Sequence, residues 1–127
     1  LELIEPTLVF GDNDKLLTVF SNLIDNSIKY SQGGKNIYVK SQNSEGKLIG
    51  KNIVISIKDE GIGIPQQLIP RITERFFRVD TEKSKKVGGT GLGLAIMKHI
   101  ISQHRGDYEI LSKLNEGTEI KIYLPTK

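Results

Sequence analysis

Six of the 13 glycines fall in two short clusters, Gly61 and Gly63 in DEGIGIP, then Gly88, Gly89, Gly91 and Gly93 in GGTGLGLA, and no other feature constrains this chain as tightly. Each glycine in an ordered segment costs roughly 0.5 to 1 kcal/mol relative to alanine, so two such concentrations need a physical reason. Close approach of the backbone to a ligand is that reason. The second cluster leads directly into a helix predicted from Leu92 to Gln103, which places several free backbone N–H groups and a positive helix end where an anion can rest. A flexible linker would explain either run if it stood alone. Two familiar phosphate loops do not fit: no lysine follows any of these glycines as a Walker A loop requires. Nor does their two-residue step, behind the basic segment KSKKV, match a dinucleotide fingerprint opening after a strand.

Around the clusters, helix-periodic and strand-periodic segments alternate, as in an α/β (α+β) two-layer sandwich. After a short apolar strand near Leu8 to Phe10, Asp12 can cap a helix running to about Ser31. Its expected apolar stripe is Leu16, Leu17, Phe20, Leu23, Ile24 and Ile28. Strands are predicted at Ile37 to Lys40 and Ile53 to Lys58, with Gly46 in a turn between them and Ile53, Ile55 and Ile57 on one face. A short helix follows from Gln66 to about Thr73, then a charged stretch with no period that reads as a mobile loop. The Leu92 helix should turn Leu92, Ile96, Ile100 and Ile101 inward and stop at Gly106. A hairpin closes the chain, Tyr108 to Leu114 and Thr118 to Leu124, joined by Asn115-Glu116-Gly117.

The length of 127 residues, 37% hydrophobic and 26% charged, suits one globular domain burying roughly two thirds of its unfolded surface. The absence of cysteine excludes disulfides, thiolate metal sites and thiol catalysis, and it suits a reducing compartment such as the cytoplasm. No apolar run approaches the roughly 20 residues of a membrane span, so no direct membrane contact is expected of this piece. It begins at Leu1 without an initiator methionine and reads as one domain, 1–127, of a longer protein. The net charge of +3 is too mild to imply nucleic acid. Its basic excess is local, in Arg71, Arg75, Arg78, Lys83, Lys85 and Lys86, and lacks the interleaved aromatics of a nucleic-acid groove.

Two further elements carry chemistry. Asn22, Asn26 and Lys29 lie at i, i+4 and i+7 of the first helix, a stripe expected roughly opposite the apolar one. A solvated polar face is the plain reading. The sharper one is a metal-triphosphate site, because an amide oxygen is a hard ligand for Mg²⁺ and a lysine offsets phosphate charge. Asp59 ends an apolar strand just before Gly-Ile-Gly. It could merely open a tight turn. Buried, its carboxylate could instead accept a hydrogen bond from an exocyclic amine and so read adenine.

In order, NLIDNSIKY (22–30), DEGIGIP (59–65), ERFFRVD (74–80), GGTGLGLAI (88–96) and NEGTEIKIYLP (115–125) resemble the N, G1, F, G2 and G3 boxes of sensor histidine kinase catalytic domains. These belong to the GHKL ATPase superfamily, and the match spans nearly the whole chain. RITERFFRVD and the HRG closing the last helix look most like sensors of the phosphate-regulon type. The resemblance implies a mixed, largely antiparallel sheet packed on one layer of about three helices. It also implies ATP and Mg²⁺ as cofactors. Asn26 would coordinate Mg²⁺ with Asn22 beside it, and Lys29 and Tyr30 would contact phosphate and nucleotide. Asp59 would bind the adenine amine, Gly61, Gly63 and Ile64 would line the base pocket, and Thr118 would close it. Arg78 would reach the γ-phosphate, and Gly89, Thr90, Gly91, Leu92, Gly93 and Leu94 would wrap the triphosphate. Phe76 and Phe77 would anchor a lid from Val79 to Thr90. Glu60 departs from the pattern, standing where asparagine is common.

Phosphoryl transfer asks mostly for alignment and charge neutralisation, so Lys29, Arg78, Asn26 and backbone N–H groups would suffice around the metal. The resemblance places the nucleophile, a histidine, on a separate dimerisation domain of the same protein, which passes the phosphate to a response regulator receiver domain. His99 and His104 lack the acidic-proline context of such acceptors and read as structural. Self-contained ATPases and serine kinases of the superfamily generally carry a glutamate base where this chain has Asn22, which favours the histidine kinase over them. A non-catalytic nucleotide-sensing module is the remaining alternative.

Overall fold

The computed structural model describes residues 11–30, 36–44, 46–48, 50–74 and 93–126. Helix α1 spans Asn13–Tyr30, strand β1 Ile37–Ser44 and strand β2 Asn52–Asp59. A 3-10 turn at Gln66–Arg71 precedes helix α2 at Gly93–Gln103, and strands β3, Asp107–Lys113, and β4, Gly117–Pro125, close the chain. The sheet order is β1-β2-β4-β3, and all three pairings are antiparallel. The short strand expected near Leu8 to Phe10 lies outside the described residues, as do the lid segment and the F box after Glu74.

Helix α1 starts where its cap predicts: Asp12 Oδ1 accepts the Lys15 N–H at 3.0 Å. Its buried face differs from the expected stripe. Leu16, Val19 and Leu23 point into the core and Phe20 and Ile24 flank it, whereas Leu17 is 63% and Ile28 56% exposed. The helix has more apolar positions than one contact with a sheet can cover, and the sequence does not say which arc the sheet meets. Helix α2 shows the same effect. Met97, Ile100 and Ile101 are buried and Ile96 faces outward, while the expected Leu92 falls outside the described residues.

Strand β1 runs past Lys40 to Ser44 because its polar second half continues the ladder with β2, down to Ser44 opposite Asn52. The segment after the glycine loop is tighter than an α-helix, since Pro70 within it cannot donate a backbone hydrogen bond. The end of α2 also corrects an expectation. Arg105, at φ 58°, takes the left-handed position, and the Gly106 N–H reaches back to the Ile101 carbonyl at 3.0 Å. Gly106 is required one step later, where a Cβ would collide with the Tyr123 carbonyl and press on Ile101 and Leu124.

The core lies between the two helices and one face of the sheet. Its sheet side is Ile53 and Ile57 of β2 with Ile120, Ile122 and Leu124 of β4. Leu23, 1% exposed, and Leu17 on the opposite side of the same helix make a matched pair. Leu23→Ala should cost about 2–5 kcal/mol in urea unfolding, whereas Leu17→Ala should cost about 0.5 kcal/mol or less. Equal losses would show that the buried arc of α1 is misassigned.

Candidate functional site

Alternation along the strands puts successive cross-strand rows of side chains beneath the helices. One row is apolar throughout: Val39, Ile57, Ile120 and Ile110 across β1, β2, β4 and β3. The next, at the end of the sheet, is Ile37, Asp59, Thr118 and Ser112. Three polar side chains thus stand side by side under the helix layer.

Asp59 is 6% exposed. Its Oδ1 accepts the Gly61 N–H at 2.9 Å, and the carboxylate also takes hydrogen bonds from the Thr118 backbone N–H and the Ser27 hydroxyl. Burial raises its pKa above the usual 3.8, and the bonds from Gly61, Thr118 and Ser27 oppose that rise without cancelling it. A carboxylate offers about four acceptor positions. With three donors placed, Asp59 retains room for about one more.

The glycine loop that follows is clamped to the β3–β4 hairpin. At Gly63, φ is +71° and a Cβ would strike the Lys113 carbonyl; at Gly117 a Cβ would strike the Asp59 carbonyl. These contacts, rather than flexibility, account for the two glycines. The Asn115 N–H donates to the Ile62 carbonyl at 2.7 Å, the Ile64 N–H donates to Ser112 Oγ at 2.7 Å, and Gln66 Nε2 donates to the Ser112 carbonyl. Glu60 is tied to the edge strand: the Tyr38 hydroxyl donates to its Oε1 at 2.8 Å.

Helix α1 joins this row to the glycine-rich start of α2. Ser27, which bonds Asp59, follows directly after Asn26. At Gly93, the first residue of α2, a Cβ would lie 3.6 Å from Asn26 Nδ2 and 3.8 Å from Asn22 Cβ. The two asparagines therefore flank the buried face of α1 and meet α2, instead of standing opposite the apolar stripe as expected. Lys29 is exposed one turn further on. Leu94 is half-buried and packs on the core through its side chain.

The structure thus brings Asn22, Asn26, Asp59, Gly61, Gly63, Ile64, Gly93 and Thr118 to one end of the sandwich. Arg78, Gly89, Thr90, Gly91 and Leu92 lie outside the described residues, and so does the side chain of Tyr30. Among the described residues no group of three or more His, Cys, Asp or Glu side chains could hold a metal ion. His104 is committed elsewhere. Its Nε2 accepts the Asp12 N–H at 2.9 Å and its Nδ1 lies 2.7 Å from the Ile100 carbonyl, so the ring staples the end of α2 to the cap of α1.

Sequence reasoning missed Ser27, Ser112 and the Tyr38–Glu60 pair. Nothing local marks Ser27. Ser112 was accessible in principle, since the three-residue loop from Leu114 to Glu116 sets Lys113 against Gly117 and hence Ser112 against Thr118.

Residues 11–127 match the family described as histidine kinase-, DNA gyrase B- and HSP90-like ATPases. The chain is 44% identical over 117 residues to the sensor histidine kinase WalK of Bacillus subtilis, covering 91% of this chain and 18% of that protein. It is 39% identical over 117 residues to the sensor-like histidine kinase SenX3 of Mycolicibacterium smegmatis, covering 92% of this chain and 29% of that one. Among solved structures, the mycobacterial sensor histidine kinase MprB superposes with a TM-score of 0.84 at 31% identity, over 99% of this chain and 80% of that one. The nucleotide-free catalytic domain of the histidine kinase ThkA gives 0.77 at 27% identity, over 98% and 75%. This chain therefore spans less than a third of the length of the two sequence relatives.

The raised pKa of Asp59 sets a sign for stability. The folded state holds the Asp59 proton more tightly than the unfolded state, so this stabilisation is complete below pH 3.8 and is lost as pH rises through the higher folded value. Asp59→Asn cannot ionise. Its stability relative to the wild type, both without nucleotide, should climb with pH across that window and then level off, as followed by urea unfolding at a series of pH values. A difference independent of pH would contradict the buried, desolvated carboxylate.

Proposed function

The chain belongs to the histidine kinase-, DNA gyrase B- and HSP90-like ATPase family, and we propose that it binds Mg-ATP and transfers the γ-phosphate to a histidine on a separate dimerisation domain of the same protein. The base end of the site is Asp59. Its remaining acceptor position calls for a donor, and the exocyclic amine of adenine supplies one, whereas the oxo group of guanine does not. Ile64 and the buried Gly61 and Gly63 form the adjoining wall. The phosphate end lies toward Gly93, where the α2 N-terminus, with Gly89, Thr90, Gly91, Leu92 and Leu94 before and within it, offers backbone N–H groups to the triphosphate. Lys29 and Arg78 would offset its charge, with Tyr30 at the nucleotide.

The donor set suits Mg²⁺ held jointly by protein and nucleotide. Asn26, whose side-chain amide lies beside Gly93, could turn one hard amide oxygen to the ion and Asn22, one helical turn earlier, a second, and phosphate oxygens would supply most of the remaining shell. The ion's contribution would be to neutralise charge on the β- and γ-phosphates. The residues of this chain align the nucleotide and exclude solvent from the base end.

The observation that favours transfer to a protein histidine over hydrolysis is Asn22. One turn before Asn26 and against Gly93, it offers an amide where the self-contained ATPases of the superfamily generally carry a glutamate base, and an amide cannot act as that base. The phosphate would then pass to a response regulator receiver domain, completing a two-component relay. A cytoplasmic place within a membrane-anchored sensor fits this reading. No described helix is long and apolar enough to cross a membrane.

The test is labelling from γ-labelled Mg-ATP, with and without a histidine-bearing dimerisation domain added in trans. That domain should become labelled, the chain alone should not, and Asn26→Asp should abolish transfer by setting a carboxylate against the triphosphate. ATP bound with no label passed on would mean a nucleotide sensor. Steady phosphate release without the added domain would mean an ATPase. Asp59→Asn should weaken ATP by roughly 10- to 100-fold, the value of a hydrogen bond to a charged group. Equal wild-type affinity for GTP would overturn the assignment of Asp59.

A further inference from the structure

Ser112 makes more hydrogen bonds through one hydroxyl than its place in an edge strand requires. Its Oγ accepts the Ile64 N–H at 2.7 Å, donates to the Gly117 carbonyl at 2.9 Å and lies 2.8 Å from Thr118 Oγ1. A serine hydroxyl has one proton and two lone pairs. The Ile64 N–H can only donate, so it takes one lone pair. The Gly117 carbonyl can only accept, so it takes the proton. One lone pair is left for Thr118, whose hydroxyl must therefore be the donor in that contact. With its proton spent on Ser112, Thr118 Oγ1 can offer nothing but lone pairs to anything else beside it.

Thr118 sits in cross-strand register with Asp59, on the same face of the sheet. The row then presents two acceptors and no free hydroxyl proton: the open position on the Asp59 carboxylate and the lone pairs of Thr118. We infer that Ser112 is a positioning residue for base selection, which fixes Thr118 as a hydrogen-bond acceptor and so matches the row to a purine carrying an amine. The inference rests on the assignment of the base to Asp59. Adenine meets two acceptors with the two N–H bonds of its amine. Hypoxanthine carries one donor, its ring N1–H, next to an oxo group, and that oxo group is left facing lone pairs. If Ser112 loses its hydroxyl, Thr118 regains a free proton and can donate it to the oxo group.

The experiment is calorimetric titration of the chain with Mg-ATP and Mg-inosine triphosphate. The reading is the ratio of the two affinities, because loosening the Ile64 loop would weaken both nucleotides alike and leave the ratio unchanged. The wild type should prefer ATP. Ser112→Ala should lower that preference roughly three- to tenfold, the worth of one neutral hydrogen bond, and Ser112→Thr should restore it. Thr118→Val removes the acceptor and should lower the preference too, after which adding Ser112→Ala should change it no further. A wild type indifferent between the two nucleotides would refute the underlying assignment of Asp59. A wild type that prefers ATP, with Ser112→Ala losing both nucleotides in equal proportion, would reduce Ser112 to a structural brace and overturn the inference. Should Ser112→Ala fail to fold, the Thr118→Val ratio decides: a preference left at the wild-type value overturns it equally.

Discussion

The buried carboxylate of Asp59 is where three separate parts of the chain are tied together. Gly61 belongs to the loop after β2, Thr118 to the neighbouring strand β4 and Ser27 to the helix lying across them, and each gives it a hydrogen bond. A carboxylate kept from water is costly unless its lone pairs are satisfied, so the three donors must arrive together. The rest of the site follows from that demand. Ser27 can reach Asp59 only if α1 crosses the sheet at this level, and the same placement sets Asn26 and Asn22 beside the first turn of α2. The burial that raises the pKa of Asp59 also keeps competing water from it, which would make its remaining acceptor position selective on the proposed reading.

The glycines on the two sides of the site serve different physical ends. Gly63 and Gly117 are places where backbone meets backbone, the loop on the hairpin turn and the hairpin on the end of β2, so a side chain is excluded by protein atoms alone. They would be needed with or without nucleotide. At Gly93 a Cβ would meet the asparagines at ordinary contact distance, so among the described residues packing does not demand a glycine there. On the proposed reading, the missing side chain there would leave room for the triphosphate. Glu60 and its neighbour Asp59 are held differently, because the Glu60 carboxylate is bound by Tyr38 on the edge strand while that of Asp59 turns under the helices.

Likeness to WalK, SenX3 and MprB covers nearly the whole of this chain, while the chain covers only part of each of those proteins. This agrees with the economy of the site. On the reading proposed above, the site would seat a nucleotide and align its phosphates, Asn22 would offer an amide in place of a base for water, and the acceptor would come from elsewhere. Of the two histidines, His104 has both ring nitrogens engaged between the two helices, and His99 lies on an exposed part of α2.

How much of this could be read from the residues depends on how local the cause is. The cap at Asp12, the alternation in β2, the turn at Gly117 and the membership suggested by five ordered boxes all rest on neighbours in sequence or on spacing, and the sequence was sufficient for them. Which arc of α1 is buried was not legible, because Leu16, Leu17, Val19, Phe20, Leu23, Ile24 and Ile28 offer more than one apolar face and only contact with the sheet selects between them. Val19 and Met97 entered the core, and Leu17 and Ile96 left it, for that reason. Ser27 and Ser112 were likewise silent as residues. A hydroxyl acquires a role only from what the fold sets opposite it, and those partners, Asp59 for one and Ile64, Gly117 and Thr118 for the other, are brought within reach by packing and strand register alone.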